Sequence, residues 1–337
     1  MKSVVVSGPG RTAVVDVDQP EVGPGDVLVK MRACGICGSD GLYIAVGGIP
    51  PRQGATPLGH EPAGEVVEVG AAVGGLEVGD HVVLNPMAAS DGIIGSGGAQ
   101  GGLSEYVVVK EAKVGRHLLT IPKDVPFAVA ALNEPMAVAR HAVNRTQPKP
   151  GDKVAVFGAG PIGLGAAIGY KLCGAHVVVV DVVPNRLEKA RKIGADAVIN
   201  SAEEDVVKRL IELHGEAPPS FAHGDRSGTD IYLDAAGVPA VIQTVTATAR
   251  QGATLGIVAV HKKPVELDLG SILTTELTIV LSMGYPTEIF EVTSDIVDNW
   301  EKYALIVSDT VPFGEAQRAL SLASTPGASE KVVVTFD

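Results

Sequence analysis

Val154-Ala155-Val156-Phe157-Gly158-Ala159-Gly160-Pro161-Ile162-Gly163 decides the architecture of half of this chain. The apolar run 154–157 stops at a glycine and reads as a short, fully buried strand. Residues 162–173, lined by Ile162, Leu164, Ala167, Ile168 and Leu172, read as the helix that follows. A lone Gly-x-Gly-x-x-Gly is a weak signal in a chain with 41 glycines. Between a strand and a helix it acquires a mechanism. Gly158 permits the tight turn, Gly160 lets backbone approach a pyrophosphate, and Gly163 lets the helix lie close to the strand. The helix start at Pro161 and Ile162 then offers N–H groups to phosphate. The alternative is an ordinary strand-to-helix turn. Val177–Val180 is the second strand and Asp181 ends it. A carboxylate there would hydrogen-bond the adenosine ribose hydroxyls and repel a 2′-phosphate, so NAD is expected rather than NADP. Arg186 is the first cation after Asp181 and is counted among the cofactor contacts. Asp181 could also be a solvated acid at a strand end.

The same alternation continues outward. Residues 187–193 and 206–213 are predicted helices; 197–199, 231–234 and 254–258 are predicted strands. Apolar strands alternating with helices predict an α/β fold with a doubly wound parallel sheet. Residues 1–148 read differently. Val27–Ala33, Gly64–Gly70 and His81–Leu84 are short strands closed by turn residues, as in a small barrel or sandwich. The segment Gln147-Pro148-Lys149-Pro150-Gly151-Asp152 reads as a boundary. Residues 88–103, rich in Gly, Ala and Ser, read as a surface loop. An amphipathic helix near 286–303 and the strand Val332–Val334 have no partner in the second domain, so the chain is expected to return to the first. The predicted division is 1–148 with 286–337, and 149–285.

Composition narrows the function classes. The 337 residues suffice for two domains, and 46% apolar content marks an ordinary globular chain. A net charge of -12 argues against a nucleic-acid partner. No apolar run reaches the about eighteen residues that a membrane span needs. Three cysteines, Cys34, Cys37 and Cys173, form no disulfide framework and suit a reducing compartment. With no charged-then-apolar leader, a cytoplasmic location is expected.

The chemistry-bearing residues cluster in three strings: Cys34-Gly35-Ile36-Cys37-Gly38-Ser39-Asp40, Gly59-His60-Glu61 and Asn133-Glu134-Pro135. Thiolate, imidazole and carboxylate are the ligand types of open catalytic zinc sites. Singly, each has a plainer reading: Cys37 as a core thiol, His60 as a buried histidine, Glu61 as a surface acid, Glu134 as a helix start. The Cys-x-x-Cys spacing could be a redox pair, but no strand–helix–strand pattern surrounds it. Histidines 81, 117, 141, 176, 214, 223 and 261 carry no partner motif.

In order and spacing, these strings and the glycine fingerprint resemble the zinc-dependent medium-chain dehydrogenases over essentially the whole chain. Glu134-Pro135, where the ethanol-oxidising branch has cysteine, resembles the polyol branch: sorbitol, butanediol and threonine dehydrogenases. The resemblance implies a GroES-like β-barrel catalytic domain, a Rossmann domain, and a site in the cleft between them. It implies Cys37 and His60 as zinc ligands, with Glu134 third, directly or through water. Glu61 lies at the metal and exchanges with water as a ligand. Asp40 orients His60, and Ser39 passes the substrate proton outward. Homo-oligomers, dimers or tetramers, are usual in the family.

Four departures from the family pattern stand out. Asn85–Ser104 holds no cysteine, so one catalytic zinc and no structural zinc is expected. Leu42 replaces a relay histidine, leaving water or the Tyr43 hydroxyl as the proton route. Gly284 stands where sorbitol dehydrogenases have a substrate-binding arginine, which disfavours a long polyol. Residues 217–226 look inserted. The resulting expectation is hydride transfer between NAD and a secondary alcohol, as a small diol, hydroxy-ketone or polyol. A zinc-free quinone or enone reductase, a nucleotide-binding sensor without turnover, and threonine dehydrogenase are the alternatives.

Overall fold

The computed structural model describes residues 1–221, 224–325 and 327–337. Ala222 and His223, within the segment 217–226, lie outside the described residues. The chain divides into two compact units: Met1–Glu134 with Ile289–Asp337, and Pro135–Glu288.

In the second unit six strands run parallel. Their order is Ala197–Asn200, His176–Asp181, Lys153–Phe157, Ile231–Asp234, Thr254–Ile257 and Thr278–Leu281. Val154 pairs with Val177 on one side and Ile231 on the other. Residues 154–156 and 177–179 are fully buried, so their strands are continuous apolar runs rather than alternating ones. Strand order reverses beside Lys153–Phe157, and sheets of this kind take ligands at the strand ends there. The sixth strand was not anticipated. Its four residues, three exposed and Val280 half-buried, lie on the sheet edge, too few for a period to register.

The expected boundary at 148 falls instead at Glu134–Pro135. Residues 147–152 form a turn inside the second unit, between the helix Asn133–Thr146 and the first sheet strand. That helix packs on Pro161–Leu172 at two glycines. A Cβ on Gly165 would lie 2.5 Å from Met136 Sδ, and one on Gly169 would lie 3.2 Å from Val143 Cγ2. Thr146 Oγ1 and the Tyr170 hydroxyl, 2.8 Å apart, close the contact. A Pro/Gly turn looks the same in sequence whether it separates domains or merely elements.

The first unit is built on antiparallel strands. Val27–Gly35 is central: Glu61–Val69 pairs along one edge, while Tyr106–Val109 and Val332–Thr335 share the other. His81–Leu84 and Leu118–Ile121 extend the sheet beyond Glu61–Val69. The C-terminal strand thus joins the first unit through residues 333–335. The amphipathic stretch near 286–303 becomes two short helices, Glu291–Asp298 and Trp300–Ala304.

The expected surface loop 88–103 is largely interior. Ile94, Gly95, Gly97, Gly98 and 101–103 are buried. Gly95 has φ +68°, and a Cβ there would overlap the Gly59–His60 backbone. Gly102 N–H donates to Gly59 O at 2.7 Å. Here small residues permit backbone to lie on backbone, a burial that hydropathy does not report.

Candidate active site

Strand register assembles the first cluster. Gly35 pairs with Glu61 on one side and Val333 on the other. A Cβ on Gly35 would overlap the Glu61 carboxylate, so only glycine leaves room for it. Immediately beyond, Cys37 caps the helix Gly38–Val46. Asp40 Oδ2 accepts the Cys37 N–H at 2.9 Å, closing a capping box. The other Asp40 oxygen lies 3.5 Å from His60 Nδ1. His60 Nε2 is therefore the nitrogen left for a ligand, and it sits 3.4 Å from Ser39 Oγ.

The ligand atoms of Cys37, His60 and Glu61 all lie within 4.8 Å of one another, the one such group among the described residues. Glu61 is buried and its Oε1 has no hydrogen-bond partner among the described residues. A desolvated carboxylate oxygen with nothing to accept from is costly, and a bound cation would satisfy it. Thiolate, imidazole and carboxylate are also a zinc donor set. The residues fit the metal that the sequence implies. Glu134 is not in this group of three. It is buried, in the first turn of the helix Asn133–Thr146.

Sequence reasoning missed Lys331. Its side chain is buried; Nζ donates to Ile36 O at 3.1 Å and to Glu61 Oε2. Burial alone would lower the Lys331 pKa, but the charges of Glu61, Cys37 and Glu134 raise it, so the ammonium persists. Burial would likewise lower His60, but the Asp40 carboxylate, then Cys37, hold it well above the ordinary imidazole value. A basic imidazole oriented by a buried carboxylate is a strong metal donor. Burial pushes the Cys34 thiol up, with Glu61 and Asp40 adding to it. Cys34 is thus a protonated core thiol, unlike a redox-pair cysteine.

Tyr43, on the same helix as Ser39, bonds Ser96 Oγ at 2.7 Å, its ring centroid 6.5 Å from that of His60. Leu42 is 61% exposed. The other described histidines are engaged elsewhere: His117 with Lys113, His141 with Glu288, His214 with Thr229, His261 with Asp234. His81 packs on Phe127, and His176 packs edge-on against His214.

The second cluster lies at the carboxyl ends of the parallel strands. Gly158 has φ +99°, and a Cβ on it would come within 3.0 Å of Ala235. One on Gly163 would overlap the Gly158 carbonyl, whereas Gly160 has open space around it. Pro161 and Ile162 form the first turn of the helix Pro161–Leu172. Asp181 Oδ2 accepts from Ala159 N–H at 2.6 Å, and Oδ1 accepts from Val182 and Val183 N–H at 2.7 and 2.9 Å. The glycine turn and the strand end thereby hold one carboxylate in place. A cavity of about 640 Å³ opens here, lined by Gly158, Gly160, Asp181, Arg186 and Ala236. A cavity of about 670 Å³ near Val15, Arg52 and Lys110 contains none of these groups.

Comparison with known proteins finds matches over most of the chain. The alcohol dehydrogenase GroES-like domain matches residues 23–123, and the zinc-binding dehydrogenase domain matches 161–299. (R,R)-butanediol dehydrogenase of Bacillus subtilis is 37% identical, the match covering 80% of each chain. Sorbitol dehydrogenase of the same organism is 30% identical over 96% of this chain and 93% of its own. The crystal structure of 2R,3R-butanediol dehydrogenase from Bacillus subtilis superposes with a TM-score of 0.86 at 29% identity, covering 99% of both chains. A zinc-binding dehydrogenase structure from Sinorhizobium meliloti 1021, bound to NADP, gives 0.83 at 28% identity, covering 99% and 98%. The chain belongs to the zinc-dependent medium-chain alcohol dehydrogenases, in the branch that holds the butanediol, sorbitol and threonine dehydrogenases.

Proposed function

We propose that this protein oxidises a small secondary alcohol, a vicinal diol or hydroxy-ketone, with NAD as hydride acceptor and one catalytic zinc. The convergence of Cys37, His60 and Glu61 within 4.8 Å carries the reading. Cys37 and His60 hold the metal, Glu134 is the third ligand directly or through water, and Glu61 exchanges. When bound, zinc acts as a Lewis acid on the substrate oxygen and lowers the pKa of its hydroxyl. Ser39 Oγ accepts that proton, and Asp40 keeps the His60 ring oriented. Onward transfer uses water or the Tyr43–Ser96 hydroxyls, since exposed Leu42 has no group to relay with.

Asp181, with Gly158, Gly160 and Gly163, holds the adenosine and pyrophosphate part of the cofactor. The fixed carboxylate favours NAD, although one solved relative carries NADP. Gly284 offers no side chain to a third or fourth substrate hydroxyl, which supports a short diol over sorbitol; threonine is the second candidate. A zinc-free enone reductase would have no use for the buried donor set. We further propose a cytoplasmic homo-oligomer. Its support is three free thiols and the exposed Ile279 and Leu281 on the edge strand Thr278–Leu281 of the parallel sheet. No helix among the described residues is long and apolar enough to cross a membrane.

The test is metal content on protein purified without chelator, with NAD reduction on butanediol, sorbitol and threonine before and after chelation. About one zinc per chain, with turnover lost on chelation and restored by zinc, is expected. Undiminished turnover without metal would overturn the reading.

A further inference from the structure

Lys331 has no place in the scheme above, yet it is a buried cation against a candidate metal ligand. Its position follows from register. Gly35 pairs with Glu61 and Val333, so Glu61 and the residue preceding Val332 meet over a position with no Cβ. Lys331 Cε would lie 3.2 Å from a Cβ on Gly35. The backbone beneath it is anchored: Lys331 N–H donates to Ser308 Oγ at 2.9 Å, and Lys331 O accepts from Ser308 N–H at 3.0 Å. Nζ takes one Glu61 oxygen and the Ile36 carbonyl, while the other Glu61 oxygen has no hydrogen-bond partner among the described residues. Glu61 is therefore divided between two cations, one built into the fold and one that the donor set would bind.

We propose that Lys331 is a positioning residue that keeps Glu61 a part-time ligand, holding one carboxylate oxygen so that a coordination position stays open to substrate. The inference rests on the zinc reading above. A buried carboxylate stripped of its ammonium cannot remain uncompensated. The metal would then compensate Glu61 in place of the ammonium, so that the carboxylate occupies it permanently and closes the site.

Cobalt(II) substituted into the full-length protein reads this without turnover, because its visible absorption weakens as coordination number rises. Lys331→Met is expected to weaken the cobalt bands and to slow metal release to chelator by about tenfold, the scale on which outer-shell partners act. The double variant Lys331→Met/Glu61→Gln is expected to restore both. Lys331→Met with a wild-type spectrum and release rate would overturn the proposal. Where Lys331→Met fails to fold, Glu61→Gln decides. With Lys331 in place it is expected to keep the wild-type cobalt spectrum, and a changed coordination there would make Glu61 a resident ligand and refute the idea. Wild-type protein that takes up neither zinc nor cobalt would remove the zinc reading and this inference together. Metal-binding wild type with an unresponsive Lys331→Met removes only the inference.

Discussion

The two clusters of this protein are built in opposite ways. The dinucleotide cluster is local: Gly158, Gly160 and Gly163 act within one turn, and Asp181 closes the neighbouring strand. The metal-type cluster is non-local. Cys37 comes from a helix cap, His60 and Glu61 from a strand start, and Lys331, which pairs with Glu61, from the residue just before the C-terminal strand. A local site needs its own residues and one turn, whereas a non-local one also depends on the register of every strand between. The first should therefore fail by losing one contact, the second by losing alignment.

The largest expected effect separates the clusters outright. Cys37→Ala or His60→Ala should abolish metal uptake and lower turnover by at least about a thousandfold, about 4 kcal/mol in barrier. NAD affinity, measured by fluorescence titration, should stay within about twofold. A parallel loss of NAD binding would show that the clusters are not independent.

Acid should act on the unit that carries the dinucleotide cluster. His214 is buried there, and burial, with His176 and Lys153 nearby, lowers its pKa from 6.5 to about 4. The imidazole stays neutral in the fold and charges more readily in the unfolded chain. Its contribution is thus fully present above pH 6.5 and disappears as pH falls from 6.5 towards 4. The size is at most about 3 kcal/mol by linkage. Thermal unfolding of wild type and His214→Gln between pH 4 and 7 checks this. The variant should be the less pH-sensitive, and equal slopes would reject the assignment.

Gly95→Ala probes alignment. The added Cβ meets the Gly59–His60 backbone at a positive φ, so a loss of about 2 kcal/mol is expected. Because that backbone presents His60, metal affinity should fall as well, while NAD binding is untouched. Stability lost with metal affinity intact would mean that the buried glycine loop supports the fold but not the cluster.

The smallest effect belongs to Asp181→Ala. It removes a carboxylate fixed by three N–H donors and should weaken NAD binding about tenfold, near 1.4 kcal/mol, while relatively favouring NADP. Cobalt spectra should not change. An undiminished preference for NAD would leave discrimination to other groups lining the cavity.

Legibility in the sequence followed the same division. The fingerprint, the Val177–Val180 strand and Asp181 could be read because adjacent residues perform one task, and strand–helix alternation is periodic. Cys37, His60 and Glu61 were visible as residue types in motifs, and the structure brings all three together. Two features misled for one reason. Residues 88–103 and 147–152 have the composition of loops, yet one packs beneath His60 and the other is a turn inside the second unit. Composition reports what backbone can do, not what lies against it.

The sequence by itself determined the class of fold, the donor types and the dinucleotide turn, because periodicity, side-chain chemistry and glycine geometry act over short stretches. The tertiary structure alone decided that Lys331 meets Glu61, that Gly35 must lack a side chain, and that the helix after Glu134 packs with the parallel sheet's unit. Those depend on which strands pair and in what register. Cross-strand contacts join residues hundreds of positions apart, and no local pattern encodes them.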